Sequence, residues 1–242
     1  MSTYTTQPLY GGAIKGLIPT GWIDASTLRE IPDHQELYLS PTTLSSQIIE
    51  LNQYVPNPTA QSTLAAHPSL LPSVSDDLDQ ESTDKAATLH HLLDIRDPAD
   101  SLTIVAPPVR VAMHGFSANV RAYAGQAAFI SVLDARASLR GITSASASGV
   151  GGAAGASGVG GGVAVPGSSG EGTLTTTTSC YFLLVRFEEQ GTDLLVLVNV
   201  PQKEFEERAD AEGLRGENAL AGGLIEGLVR ELEVLEWGLF EG

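Results

Sequence analysis

The sequence predicts an α+β fold built on an antiparallel sheet, and three observations lead there. Two apolar runs, residues 179–187 and 193–200, flank the polar separator Glu188-Glu189-Gln190-Gly191-Thr192, which is the pattern of a β-hairpin. Other strand-like runs follow one another without an obligatory helix between them. Helical periodicity is confined to a few segments, the longest at the C-terminal end. Runs of strands with helices at their ends, rather than strict strand–helix alternation, imply antiparallel pairing.

Each element has its own warrant. Residues 12–18 form a candidate strand, closed by Pro19 and Gly21. Residues 35–39 alternate, with Glu36 and Tyr38 on one face and Leu37 and Leu39 on the other. Leu44, Ile48, Leu51 and Val55 recur at helical spacing, which predicts an amphipathic helix over 43–55. Leu89, Leu92 and Leu93 predict a second helix over 85–95, ending near Asp97-Pro98. Residues 102–105, 110–116 and 127–133 read as strands, and Leu220, Leu224, Leu228 and Leu232 define a C-terminal helix. Two segments stand apart. Residues 56–84 hold Pro56, Pro58, Pro68 and Pro72 among Ser, Thr, Ala and Asp, and read as an irregular insertion. Residues 141–172 carry 12 of the 26 glycines, with no charge between Arg140 and Glu171. Such a stretch has little to bury against its backbone entropy, so a flexible insertion is expected. The 242 residues are thus read as a single domain, 1–242, with two low-complexity insertions.

Charge excludes some partners. With 13 basic and 29 acidic residues the formal net charge is −16. Affinity for nucleic acid comes from Lys and Arg neutralising phosphates, so neither nucleic acid nor an anionic membrane is expected as a partner. A basic protein partner or a cationic ligand suits the chain better. The N-terminal residues carry no basic and apolar leader pattern, which predicts a protein of the nucleus and cytoplasm. The single cysteine, Cys180, opens an apolar strand and reads as a small buried hydrophobe.

Candidate chemistry is sparse. The glycine-rich stretch lacks the Gly-x-x-x-x-Gly-Lys-Ser/Thr phosphate loop and has no lysine. Gly115-Phe116-Ser117-Ala118-Asn119 lacks the last glycine of a nucleophile elbow, so Ser117 is a weak hydrolase candidate. His90 and His91 are adjacent and diverge on a helix, while His34 and Glu36 share a strand face but make only two ligands. No metal, no cofactor and no catalytic residue are predicted. The acidic C-terminal region, net −7 from Lys203 onward, reads as a solvated face that also contributes a steering field.

The N-terminal block is richer. Leu9-Tyr10-Gly11-Gly12-Ala13-Ile14 is followed by Ile23-Asp24-Ala25-Ser26-Thr27-Leu28-Arg29 and then by Pro32-Asp33-His34-Gln35-Glu36-Leu37-Tyr38. Its loop gathers charged and amide groups at a strand edge, which suits protein recognition more than bond chemistry. These motifs resemble the Mog-family Ran-binding proteins, the Ran guanine nucleotide release factors. Weaker similarity continues at Ile48-Ile49-Glu50-Leu51, Gly191-Thr192-Asp193-Leu194-Leu195, Val198-Asn199-Val200-Pro201 and Trp237-Gly238-Leu239-Phe240.

The resemblance implies an antiparallel sheet sandwiched by helices (α/β/α), a fold shared with PsbP photosystem subunits. It also implies a monomeric, non-enzymatic partner of the small GTPase Ran that promotes nucleotide release and supports nuclear protein import. An adaptor or trafficking module without release activity is the alternative on the same fold. The family's acidic patch is expected on the first helix and the loop beside it. Asp24, Arg29, Asp33, Gln35, Glu36, Glu50 and Gln53 are accordingly the candidate partner-binding residues. Where the family often has two acids three apart, this chain has Glu50 and the neutral Gln53.

Overall fold

A computed structural model describes residues 3–72, 79–117, 119–134 and 173–240. The strands are β1 (Tyr4–Leu9), β2 (Ile14–Pro19), β3 (Ile23–Asp24), β4 (Gln35–Leu39), β5 (Ser46–Gln53), β6 (Ser101–Val111), β7 (Arg121–Asp134), β8 (Thr173–Phe187), β9 (Thr192–Pro201) and β10 (Glu233–Val234). The helices are α1 (Asn57–Ala66), α2 (Gln80–Asp94), α3 (Lys203–Glu207) and α4 (Ala211–Glu231). Strands β3-β4-β5-β9-β8-β7-β6 make a seven-stranded sheet, and β1-β2-β10 make a small second one. Neighbouring strands in both are antiparallel, as the α+β reading expects.

The hairpin β8–β9 is the spine of this sheet. Its strands are apolar on both faces because both faces are covered. Leu183, Val185, Leu194, Val196 and Val198 point into one core, against Leu224 and Leu228 of α4 and Ile14 and Leu17 of β2. Phe182, Leu184, Leu195 and Leu197 point into the other, against Leu89 and Leu92 of α2. Helices α1 and α2 pack on each other through Ala60, Ala86 and Ala87. The large sheet is therefore covered by α1 and α2 on one side and by α4 with the small sheet on the other. At the outer edge, β6 carries Pro107 and Pro108 and shifts register on either side of Ala106, which blunts that edge against further pairing.

A buried ionic network ties these layers together. The Arg186 guanidinium on β8 is shielded from solvent. Its Nη1 donates to Asp84 of α2 at 2.5 Å, its Nε to Asp193 of β9 at 3.1 Å, and its Nη2 to the Val55 carbonyl. The Tyr54 ring lies 4.0 Å below its central carbon, a cation–π contact. The second oxygen of Asp193 accepts from His91 Nε2 and from the Val55 amide, both at 2.9 Å. A carboxylate only accepts, so the proton between the ring and Asp193 is carried by His91 Nε2. The second oxygen of Asp84 accepts from Arg121 Nε at 2.7 Å and from the Tyr123 hydroxyl at 3.1 Å.

Several expectations are corrected. Residues 43–55 are not an amphipathic helix: residues 46–53 are β5, which pairs with β4 and β9. Leu44, placed on the apolar stripe, is 66% exposed, while Gln47 is wholly buried and donates to the Leu17 carbonyl at 3.0 Å. The segment 56–84 is not irregular throughout. Asn57–Ala66 is α1, with Pro58 in the first turn where a missing N–H costs nothing, and α2 begins at Gln80. The expected strand 110–116 stops at Val111. The glycine-rich insertion 141–172 lies outside the described residues, and so do 73–78. The helix expected over 85–95, the strand 35–39 and the hairpin are found.

Arg186 carries a testable consequence. Arg186→Met takes the guanidinium from buried Asp193 and one of two from Asp84, which keeps Arg121, and breaking a buried pair costs ~3–5 kcal/mol. Arg121→Met should cost less, because its outer partner Glu188 is exposed. Urea midpoints of the two variants against wild type give the order directly.

Candidate functional site

Strands β3, β4 and β5 form one edge of the large sheet, and the loop from Ala25 to His34 joins the first two. The motif Tyr10-Gly11-Gly12 docks against this edge. Tyr10, Gly11 and Gly12 have φ of 51°, 67° and 101°. That is three left-handed residues in a row, two of them glycine for that reason. A Cβ at Gly11 or Gly12 would meet nothing within 4 Å, so backbone conformation and not space selects glycine there. The turn aims the Tyr10 N–H at Glu36 Oε1. It also lays the Tyr10 hydroxyl 2.8 Å from the Ile49 carbonyl of β5 and 3.1 Å from that of His34.

Two carboxylates define the edge. Glu36 accepts from the Tyr10 N–H on one oxygen and from the Tyr38 hydroxyl, at 2.8 Å, on the other. Glu50 is 9% exposed; it accepts from Gln35 Nε2 and, at 3.4 Å, from Asn52 Nδ2. Gln35 lies directly opposite Glu50, and Glu36 opposite Ile49. The two acids therefore point to opposite faces of the sheet. Among the described residues neither has a cationic partner, although buried charges are ordinarily paired.

The remaining predicted residues surround this pair. Asp24, at the end of β3, caps the following turn by accepting from Ser26 N at 2.8 Å. Arg29 and Asp33 are exposed in the loop, and their side chains make no hydrogen bond or ion pair among the described residues. Gln53 is exposed at the end of β5, opposite Thr192. The fold thus brings Asp24, Gln35, Glu36, Glu50 and Gln53 onto three adjacent strands. Glu50 is on a strand and nearly buried, not on the exposed side of a helix. Exposed Ile23 and Leu28 add apolar surface beside them.

Sequence reasoning missed Tyr10 and Tyr38, although both stood in the quoted motifs. Burial, then the nearby carboxylates Glu36 and Glu50, pushes the Tyr10 hydroxyl far above its ordinary value. Burial and the bond to Glu36 do the same for Tyr38. Both hydroxyls therefore stay protonated and donate. Ser117 is exposed in the β6–β7 connection, and no hydrogen bond among the described residues joins it to a histidine. Cys180 is fully buried, which pushes its thiol up to about 12, as expected of a small core residue. Among the described residues no group of three or more His, Cys, Asp or Glu is placed to hold a metal ion, and no helix is long and apolar enough to cross a membrane.

An antiparallel sheet covered on both faces defines an α+β sandwich, and comparison with known proteins gives its family. The profile described as "Ran-interacting Mog1 protein" matches residues 7–201, so the chain belongs to the Mog1 family. Curated relatives are similar over short stretches. A protein of Dictyostelium discoideum named probable Ran guanine nucleotide release factor is 48% identical over 52 residues, 22% of this chain and 27% of that one. The Ran guanine nucleotide release factor of Homo sapiens is 50% identical over 44 residues, 18% of this chain and 24% of that one. The nuclear import protein MOG1 of Saccharomyces cerevisiae is 66% identical over 32 residues, 13% and 15% of the two chains. The chain thus matches 15–27% of the length of these three relatives. Two solved structures share the fold. The Ran-binding protein Mog1p of Saccharomyces cerevisiae superposes with a TM-score of 0.54 at 20% identity, covering 99% of this chain and 100% of that one. A point mutant of Mog1 gives 0.52 at 19% over the same shares.

Two outcomes follow from this geometry. Gly12→Ala should lower stability by ~1–2 kcal/mol, the cost of a left-handed L-residue, even though the site has room for a methyl. A shift in denaturation midpoint measures it. All six tyrosines have values raised above 10, burial being the largest cause in each. Folding therefore favours the protonated phenol. That contribution is complete below pH ~10, where unfolded tyrosines titrate, and is lost as pH rises further. Tyrosinate absorbance should accordingly appear in a step coincident with unfolding, not as a gradual titration centred near 10.

Proposed function

We propose that this protein, acting as one domain and a monomer in the nucleus and cytoplasm, binds the small GTPase Ran, promotes release of its guanine nucleotide and so supports nuclear protein import. The observation that carries this reading is membership of the Ran-interacting Mog1 family over residues 7–201. The relatives named for nucleotide release and nuclear import point the same way. The edge of the sheet supplies suitable chemistry. Glu36 and Glu50 are held by neutral donors and present charge that no cation among the described residues answers, with Asp24, Arg29, Asp33, Gln35 and Gln53 around them. The mechanism needs no catalytic residue. A protein that binds nucleotide-free GTPase better than the loaded form weakens nucleotide binding by the same factor. Carboxylates do this by competing for cationic groups or magnesium near the nucleotide phosphates.

The test is the rate at which Ran releases a fluorescent guanine nucleotide. Wild-type protein should accelerate release, and the association rate should fall as ionic strength rises. Glu50→Gln keeps the shape of the side chain but removes its charge. Losing one member of a desolvated charge pair costs ~2–5 kcal/mol, so binding should weaken roughly 30-fold or more. Asp33→Lys, at an exposed site without a partner, should slow association while leaving the melting temperature unchanged. Binding to Ran without acceleration would favour an adaptor, and Glu50→Gln at wild-type affinity would move the contact elsewhere.

A further inference from the structure

A concavity of about 750 Å³ is lined by none of the residues proposed above to meet Ran. Its walls come from β6, β7, β8 and the turn after β8, with the C-terminal 3-10 turn Trp237–Phe240 beside them. The volume lies within the ~300–1,000 Å³ usual for small-molecule sites.

The charges lining it are unlike those of the rest of the molecule. Three arginines, Arg110, Arg121 and Arg186, face it together with Glu188 and Glu189, on a chain whose net charge is −16. Arg186 is spent on Asp84 and Asp193. Arg121 uses Nε on Asp84 and Nη2 on Tyr54 and Glu188, which leaves the N–H groups of Nη1 without a partner among the described residues. Arg110, opposite Tyr123 in the sheet, is exposed and makes no hydrogen bond or ion pair among the described residues. Its guanidinium is the cavity's uncommitted cation. Ser117 and Asn119 add a hydroxyl and an amide from the β6–β7 connection.

The apolar side of the cavity is aromatic. Trp237 is 40% exposed, and its ring packs edge-on against Phe187 at 5.4 Å and against Phe116 at 6.4 Å. Those contacts fix the indole and leave part of it bare. A planar ring on one side and a forked cation with neutral donors on the other select a ligand with the same two parts.

We propose that this cavity is a binding site for a small organic anion, a carboxylate or phosphate monoester carried on a planar ring, with Arg110 holding the anion and Trp237 the ring. The site is separate from the edge proposed to meet Ran, and its test does not depend on that reading.

The test uses the full chain and four probes: benzoate, phenyl phosphate, the neutral benzamide and the cationic benzylamine. Binding is followed by amide and indole shifts in proton–nitrogen NMR spectra. The two anions should move the Trp237 indole and the Arg110 and Ser117 amides, with benzamide at least tenfold weaker and benzylamine weaker still. A charge-assisted hydrogen bond is strong enough to give Arg110→Gln a loss of tenfold or more. Trp237→Leu should weaken benzoate and phenyl phosphate while sparing inorganic phosphate. Comparing benzoate with phenyl phosphate distinguishes the two anion types. Arg110 has no hydrogen-bond or ion-pair partner among the described residues, so its variant should melt as wild type does. Equal binding of all four probes, an unchanged affinity in Arg110→Gln, or shifts confined to residues outside the cavity would overturn the assignment.

Discussion

Arg186 is the constraint on which the rest of the structure depends. A guanidinium removed from water is tolerated only where carboxylates and carbonyls surround it, because its desolvation costs several kcal/mol. Here Asp84, 102 residues away in the chain, Asp193, seven away, and the Val55 carbonyl, 131 away, complete that shell. No one of these elements satisfies all the N–H groups that the guanidinium directs inward. Helix α2, the hairpin β8–β9 and the chain leaving β5 must therefore be seated together. Once they are, α2 is fixed against one face of the sheet and the end of β5 is fixed beside the turn after β8, where Tyr54 N donates to the Gly191 carbonyl at 2.9 Å.

The opposite arrangement marks the sheet edge. Asp84 and Asp193 are fully buried and share the Arg186 guanidinium, with Arg121 also on Asp84, whereas among the described residues Glu36 and Glu50 meet only amides and phenols. Neutral donors satisfy lone pairs without cancelling charge. The first kind of carboxylate holds the fold together. The second leaves a field at the edge of β3-β4-β5, and the left-handed turn at Tyr10 is part of what holds it there. A backbone in that region persists where its surroundings over-determine it. The bonds from Tyr10 to Glu36 and to the Ile49 carbonyl do so here.

Much of the architecture was legible because its signals are local. The β8–β9 hairpin announces itself by two apolar runs around a polar turn, and α2 and α4 by their leucine spacing. Strand β5 was misread for a physical reason. It is an interior strand of the large sheet with Ile49 in one core and Ile48 against the other, so no two-residue alternation survives and the spacing of Leu44, Ile48, Leu51 and Val55 imitates a helix. Helix α1 was hidden by Pro56 and Pro58, which sit where a helix start accepts them. The candidate site residues come from the motifs of the sequence, but their contacts with one another and with Tyr10 and Tyr38 have no trace in it. The ionic network had one local trace: the hairpin sets Arg186 directly opposite Asp193, two opposite charges at matching ends of otherwise apolar runs. Its other members come from α2 and β7, and no spacing along the chain joins them.

The burial of Glu50 also changes how it would act in the proposed reading. A carboxylate on an exposed helix face works by direct contact and is screened by salt. One that is 9% exposed, under the Gln35 amide, sits in a lower dielectric where its field reaches further. Approach of a basic partner would then begin at the exposed Asp33 in the loop and Asp24 at the end of β3, and be completed by Glu50 or Glu36, which lie on opposite faces of the neighbouring strands. In the proposed reading, loop charges would then govern encounter, and strand charges would govern how long the complex lasts.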